Sequence, residues 1–229
     1  MKKVAILQSN YIPWKGYFDI IRQVDLFIFH DDLRYTKNDW RNRNRIQTET
    51  GSRWVTIPCG TDQNRLINEV RVDQVDWQAQ HYRLLEENYR AAPYWDVYSD
   101  FVKEVYLKRK WQFLSELNQF LIRHIASEFL GAQTAFDQSE NYNLSHRGEA
   151  RVLELLTKAG ATRYLSGPAG RNYLQENSFD DCGIMLEYMD YSSYRPYRQC
   201  HEPFDHAVTI LDLLFNTGPD ALDYMLPCD

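Results

Sequence analysis

"KVAILQSNYIPWKGYFDIIRQVDLFIFHDD", residues 3–32, is the stretch that sets the fold. Its opening, Val-Ala-Ile-Leu, is a continuous apolar run rather than an alternating one. That predicts a short strand over 3–8, buried on both faces as in a parallel sheet. "SNYIPWKG" breaks the pattern, with Pro13 and Gly16 as loop signals. "YFDIIRQV" then sets Phe18, Ile21 and Val24 at helical spacing. "DLFIFHDD" is a second apolar run that ends in polar residues. Strand, loop, helix and strand in this order predict a βαβ unit with a right-handed crossover.

Beyond it the pattern changes. "RNRIQT", "WVTIPCG" and "INEVRV" are β-rich and roughly alternating, which predicts a meander or antiparallel extension. From Trp77 to Leu130 the periodicity is helical, with Asp76 as a candidate cap and Pro93 as a terminator. The alternating architecture returns with a helix in "SHRGEARVLELLTKAGA", a strand in "TRYLSG", a helical turn in "GRNYLQEN", a strand in "IMLEYMDY" and a helix in "HAVTILDLLFNTG". Ser145 is the simplest N-cap for the first of these helices. The two halves are expected to complete one sheet. The expected architecture is a single α/β domain over 1–229 with a mixed sheet, a β-rich extension and a helical insertion at about 77–130.

The chain has 229 residues and a formal net charge of −6. An acidic chain argues against nucleic-acid binding, which needs many cations against phosphates. Four cysteines, Cys59, Cys182, Cys200 and Cys228, show no zinc-type spacing and read as reduced thiols. The N-terminal apolar run is too short for a signal peptide, and no stretch reaches the roughly 20 apolar residues of a membrane span. A soluble cytoplasmic protein is expected. The 16 tyrosines make a homodimer admissible if enough of them are exposed.

In a parallel α/β sheet ligands bind beyond the carboxyl ends of the strands. The loop after the first strand offers Gln8, Asn10, Tyr11, Trp14 and Lys15. The second offers His30, Asp31, Asp32 and Tyr35. A later one offers Ser166, Gly167 and Arg171 in a weak phosphate-type loop. These groups converge if the strands are parallel neighbours. His30, Asp31 and Asp32 are the candidate acid–base groups. Neighbours on a strand point to opposite faces, so His30 and Asp31 share one site only if the strand has ended before them; a plain polar strand end is the alternative. No second histidine lies at ligand spacing, so these three are not expected to hold a metal; no cofactor is expected either.

"NDWRNRNRI", residues 38–46, carries Arg41, Arg43 and Arg45. Guanidinium groups grip carboxylate or phosphate through paired hydrogen bonds. On a strand they would form one cationic stripe, with Asn42 and Asn44 opposite and Trp40 beside it as a wall. The alternative is a solvated face balanced by nearby acids. Cys59 reads as a small buried residue at a strand end before it reads as a nucleophile.

Taken together, "QSNYIPWKGYFDII", "VDLFIFHDDLRYTKNDWRNRNRI", "WVTIPCG", "NYRAAPYW", "GATRYLSGPAGRNYL" and "VTILDLLFN" resemble the WbqC-like family of bacterial proteins, in order and over nearly the whole chain. The family pattern falls here on Gln8, Tyr11, Lys15, Asp31, Asp32, Tyr35, Trp40, Arg41, Asn42, Arg43 and Asn44, with Ser145, Tyr164, Gly167 and Asp212 later. Ser9 stands where the family usually has proline, Arg34 where it often has glutamine, and Cys59 where it has a hydrophobic residue. The resemblance implies a role in surface-polysaccharide (O-antigen) biosynthesis, with glycyl-type or other acyl transfer to an amino-sugar. It implies a small anionic substrate of the nucleotide-sugar class and admits an acyl or aminoacyl carrier protein as donor. A non-catalytic binding protein for an anionic glycan precursor is the alternative, and nucleotidyl transfer a third reading. A looser likeness to nucleotidyltransferases with a HIGH motif, whose histidines are absent here, implies only a Rossmann-like α/β fold.

Overall fold

Strand β1 (Lys3–Leu7) lies at the centre of a five-stranded sheet. The computed structural model describes residues 1–228. β1 is followed by helix α1 (Lys15–Arg22) and strand β2 (Leu26–Phe29), the βαβ unit that the apolar runs predict. Two further strands, β6 (Arg163–Ser166) and β7 (Met185–Tyr188), join the other side of β1, so both ends of the chain complete one sheet. With the edge strand β5 (Ala135–Gln138), the order is β5-β2-β1-β6-β7, and every pairing is parallel. Among the described residues the fold is thus α/β, with a parallel sheet and a small antiparallel one.

The sheet is apolar on both faces because alternate residues feed two cores. Ala5, Phe27, Phe29 and Leu165 join the larger core, with α1 and the helices of the middle segment. Val4, Ile6, Leu26, Ile28 and Tyr164 join the smaller one, under α5 (Gly148–Lys158) and α6 (Glu176–Asp180). This explains the unbroken run of apolar residues in β1 and β2.

The edge strand β5 (Ala135–Gln138) pairs with β2. The sequence gives it little signal, since it is short and only partly buried. The β-rich extension is a two-stranded hairpin, β3 (Arg43–Thr48) with β4 (Gly51–Thr56). "INEVRV" is not a third strand. Ile67–Glu69 is a 3-10 turn, and the amides of Ile67 and Val72 go to the separate carbonyls of Leu33 and Gln112. Its buried Ile67, Val70 and Val72 are pinned one by one rather than paired in a ladder.

The helical segment after Trp77 contains α2 (Gln78–Tyr89), α3 (Trp95–Lys103) and α4 (Leu114–His124). α3 and α4 each run on into a π-helical turn, Glu104–Lys108 and Ile125–Phe129. Asp76 is not a cap, because Trp77 precedes the helix and no side chain caps it. A long irregular segment joins β7 to the last helix, α7 (Ile210–Thr217). No helix among the described residues is long and apolar enough to cross a membrane. Only Tyr173 of the sixteen tyrosines is exposed, so surface tyrosines do not argue for a homodimer.

Candidate functional site

β1, β2 and β6 are parallel neighbours, so the loops after them meet at one end of the sheet. The order reverses there: the chain runs outward through β2 and β5, then returns to β6 beside β1. A cleft of about 380 Å3 opens at this point, lined in part by Gln8, His30, Glu149, Arg151, Tyr164 and Tyr173. Open parallel sheets leave a crevice at such a switch point, outside the strand ends.

Strand parity decides which polar groups enter the cleft. His30 continues the face of Leu26 and Ile28, toward α5, and Asp32 follows it. Arg151 of α5 donates its Nε–H to Nε2 of His30 at 3.0 Å and pairs through Nη2 with Asp32. Asp32 also accepts from the Ser139 hydroxyl at 2.6 Å, and its carboxylate lies 3.7 Å from Nε2 of His30. Burial pulls the His30 pKa down to about 4, against the attraction of Asp32 and with the help of Arg151. The imidazole is neutral, its proton on Nδ1, because Nε2 accepts from Arg151.

The N-cap position of α5, Arg147, makes no side-chain cap, so the first-turn amides have no side-chain acceptor from it, and Gly148 and Glu149 of that turn line the cleft. Gly148 begins the helix at φ +59, a conformation that glycine adopts without a steric penalty. The expected cap Ser145 instead gives its amide to Glu154 at 2.9 Å, as His146 does at 3.0 Å.

Asp31 continues the opposite face and does not reach the cleft. It is fully buried, with its carboxylate accepting from the Ser9 amide at 2.8 Å and from Gln119 at 2.9 Å. Burial raises its pKa, and those hydrogen bonds oppose the rise. This geometry ties the first loop to α4.

A second cleft, of about 320 Å3, lies across that loop and is lined by Asn10, Pro13, Trp14, Trp40, Asn44 and Ala207. Trp14 folds back over the start of α1, where the missing side chain of Gly16 leaves room for the indole. Tyr191 and Tyr194 pack edge-on against Trp14. Asn44 donates to the carbonyls of Tyr11 at 3.1 Å and Ile12 at 2.8 Å, so its amide holds the loop. Asn10 accepts from Nη1 of Arg41 at 2.8 Å.

The expected three-arginine stripe is shorter than its sequence suggests. Arg41 precedes β3 and pairs with Asp39 at 3.3 Å. Arg45 pairs with Asp205 at 3.2 Å. Arg43 has no acidic partner among the described residues and lies over the Trp54 ring, 4.1 Å from its centre. Asn42 and Asn44 are buried opposite, as alternation requires.

Several expected site residues are brought to neither cleft. Tyr11 is buried, its hydroxyl shared with His81 Nδ1 at 2.8 Å and Tyr106 at 2.6 Å. Asn42 donates to the Ile57 carbonyl, and Tyr35 is buried below the Arg65 guanidinium. Lys15 is buried against Tyr194 and donates to the Tyr224 carbonyl; burial lowers its pKa to about 8. Ser166 and Gly167 lead into a 3-10 turn and Arg171 lies over the Tyr188 ring, so this segment gives the cleft Tyr173 instead. Cys59 is buried and its thiol is pushed up to about 11 by burial, which makes it a poor nucleophile. No group of three His, Cys, Asp or Glu side chains among the described residues could hold a metal.

Arg151, Glu149 and Tyr173 escape a reading of the sequence. Their place in the cleft depends on β6 inserting beside β1, a long-range pairing. The available signal is that Arg151 lies in the first turn of a helix preceding a parallel strand.

Residues 8–224 match the WbqC-like protein family. The chain belongs to that family. It is also 46% identical, over 230 residues, to "Uncharacterized protein Rv1507c" of Mycobacterium tuberculosis (strain ATCC 25618 / H37Rv). That match covers 100% of this chain and 99% of the relative. In this WbqC-like chain, the family match takes in lining residues of both clefts, from Gln8 in the first loop to Ala207.

Proposed function

We propose that this WbqC-like protein is a transferase of surface-polysaccharide (O-antigen) assembly. It would move an acyl group, of glycyl or other aminoacyl type, from a thioester to the amine of an amino-sugar nucleotide. The observation that carries this reading is the His30–Arg151–Asp32 cluster in the strand-end cleft. A neutral histidine, a guanidinium and the first turn of α5 share one concave space there, which suits an anion beside a proton acceptor. The reversal of strand order at β1 and β6 supports a Rossmann-like reading of the sheet. Free, dispersed cysteines support a reducing, cytoplasmic setting.

In this account the anion clamp is Arg151, rather than Arg41, which already has Asp39 and Asn10. An incoming diphosphate competes with Asp32 and His30 for the guanidinium. That releases the lone pair on Nε2 of His30. The sugar amine attacks the acyl carbon; a C–N bond forms, the C–S bond breaks and the sulfur leaves as thiolate. The proton of the amine passes to Nε2, and Asp32 stabilises the imidazolium. Orientation and proton removal suffice, with no enzyme nucleophile.

One observation favours a second reading, a binding protein without turnover. The Nε2 lone pair is already engaged by Arg151, and the pKa of about 4 makes His30 a weak base. The two readings separate in an assay of UDP-linked amino-sugars with aminoacyl thioesters, run beside calorimetric binding. Transfer predicts product from the natural protein, and for His30→Gln retained sugar-nucleotide binding with turnover lost. Binding without product under every donor would leave only the second reading.

A further inference from the structure

The cleft beneath the tryptophans plays no part in the proton chemistry above. Two observations mark it as built for a ligand. Trp40 and Trp54 are large apolar side chains left 41% and 42% exposed. The loop that forms its wall also bends at Ile12, a buried β-branched residue held at φ +35. A non-glycine residue in that region is strained and persists only where its surroundings enforce it, often at ligand clamps. Here Asn44 fixes the Ile12 carbonyl, and the amide of Ile210 fixes that of Pro13 at 2.8 Å.

From this we infer that the Trp14–Trp40 cleft is a saccharide-binding site that seats one pyranose ring against the Trp40 indole. A sugar presents an apolar C–H face and a rim of hydroxyls. The cleft offers the complement, with indole and proline walls and a small set of amide groups. Asn10 supplies the free polar end: its carbonyl oxygen is occupied by Arg41, which orients its NH2 group as the donor. Asn44 has its NH2 committed to backbone and its oxygen to the Arg45 amide at 2.7 Å, so it shapes the wall instead. A flat nucleobase would prefer a slot between parallel rings. Trp40 and Trp54 are inclined by 44°, with centres 5.2 Å apart, and Arg43 already covers Trp54. The pair therefore offers one open indole rather than a slot. Arg43, stacked on Trp54 and without an acidic partner among the described residues, would favour a sugar bearing a carboxylate or phosphate.

This site stands whether or not transfer occurs at His30. The test is saturation-transfer NMR on the full chain with methyl glycosides of glucose, galactose, rhamnose, N-acetylglucosamine and glucuronic acid, and with uridine and adenosine as competitors. At least one glycoside should bind, with saturation strongest on the C–H face. Trp40→Ala should weaken that binding at least tenfold, and Trp40→Phe should keep it within a few-fold. His30→Gln, which removes the proposed transfer, should leave it unchanged. No saturation from any glycoside would overturn the inference. So would equal binding by Trp40→Ala, or binding by the nucleosides alone.

Discussion

The strand-end cleft and the tryptophan cleft share one loop, residues 8–14, yet they are made from different material. The first is set by periodic elements. β1, β2, β6 and α5 deliver His30, Asp32 and Arg151 by strand parity and helix position, and Arg151 is already bonded to both of the others. The second is set largely by irregular backbone, with a strained Ile12, the segment that leads into β3 and the long segment before α7. It leaves an indole face and an amide uncommitted. The contrast teaches that charged groups close on themselves until a ligand competes for them, whereas an aromatic wall can stay open without leaving a buried charge unpaired.

The sharpest way to break this contrast is Arg151→Ala. It removes the proposed anion clamp and leaves His30 beside an unpaired Asp32. Turnover should fall by about 100-fold or more, with sugar-nucleotide affinity falling as well. Glycoside binding at Trp40 should stay unchanged. Steady-state kinetics and calorimetry on one preparation check both halves.

The shared loop provides the next test. Tyr11 anchors it through His81, whose Nδ1 accepts from the hydroxyl while Nε2 faces the Thr56 carbonyl at 3.2 Å. Burial holds the His81 pKa at about 4, below the ordinary 6.5. The unfolded chain therefore binds more protons between those values. The His81 contribution is present above pH 6.5 and lost as pH falls toward 4, on the order of 3 kcal/mol. His30 has the same sign and window. Denaturant unfolding at pH 7, 5.5 and 4.5 should show the loss, and His81→Gln should remove the His81 share of it and leave that of His30.

A smaller effect belongs to the tryptophan cleft. Asn44→Ala leaves the carbonyls of Tyr11 and Ile12 without their shared donor. Stability should drop by about 1–3 kcal/mol, and glycoside affinity should fall because the wall is no longer held. Thermal unfolding read beside the NMR titration measures both.

Much of this contrast follows the legibility of the sequence. The run from Lys3 to Asp32 yields the βαβ unit and puts His30 and Asp31 on opposite faces, because β2 obeys a period of two up to its end. It does not say which face meets a cleft, since that depends on β6 and α5, coded far along the chain. The arginine segment reads correctly in its alternation, but the charges of Arg41 and Arg45 are balanced by Asp39 and Asp205, one next door and one remote. β5 is too short and too exposed to announce itself. The positive φ of Ile12 has no signature in its residue type, which ordinarily avoids that region.

The most direct measurement is a crystal structure of the protein soaked with a nucleotide sugar. The account predicts diphosphate oxygens within hydrogen-bond reach of Arg151 and the amino end of α5, with the guanidinium drawn off Nε2 of His30. A diphosphate seated on Arg41 or Arg43, with Arg151 still closed on Asp32 and His30, would contradict it.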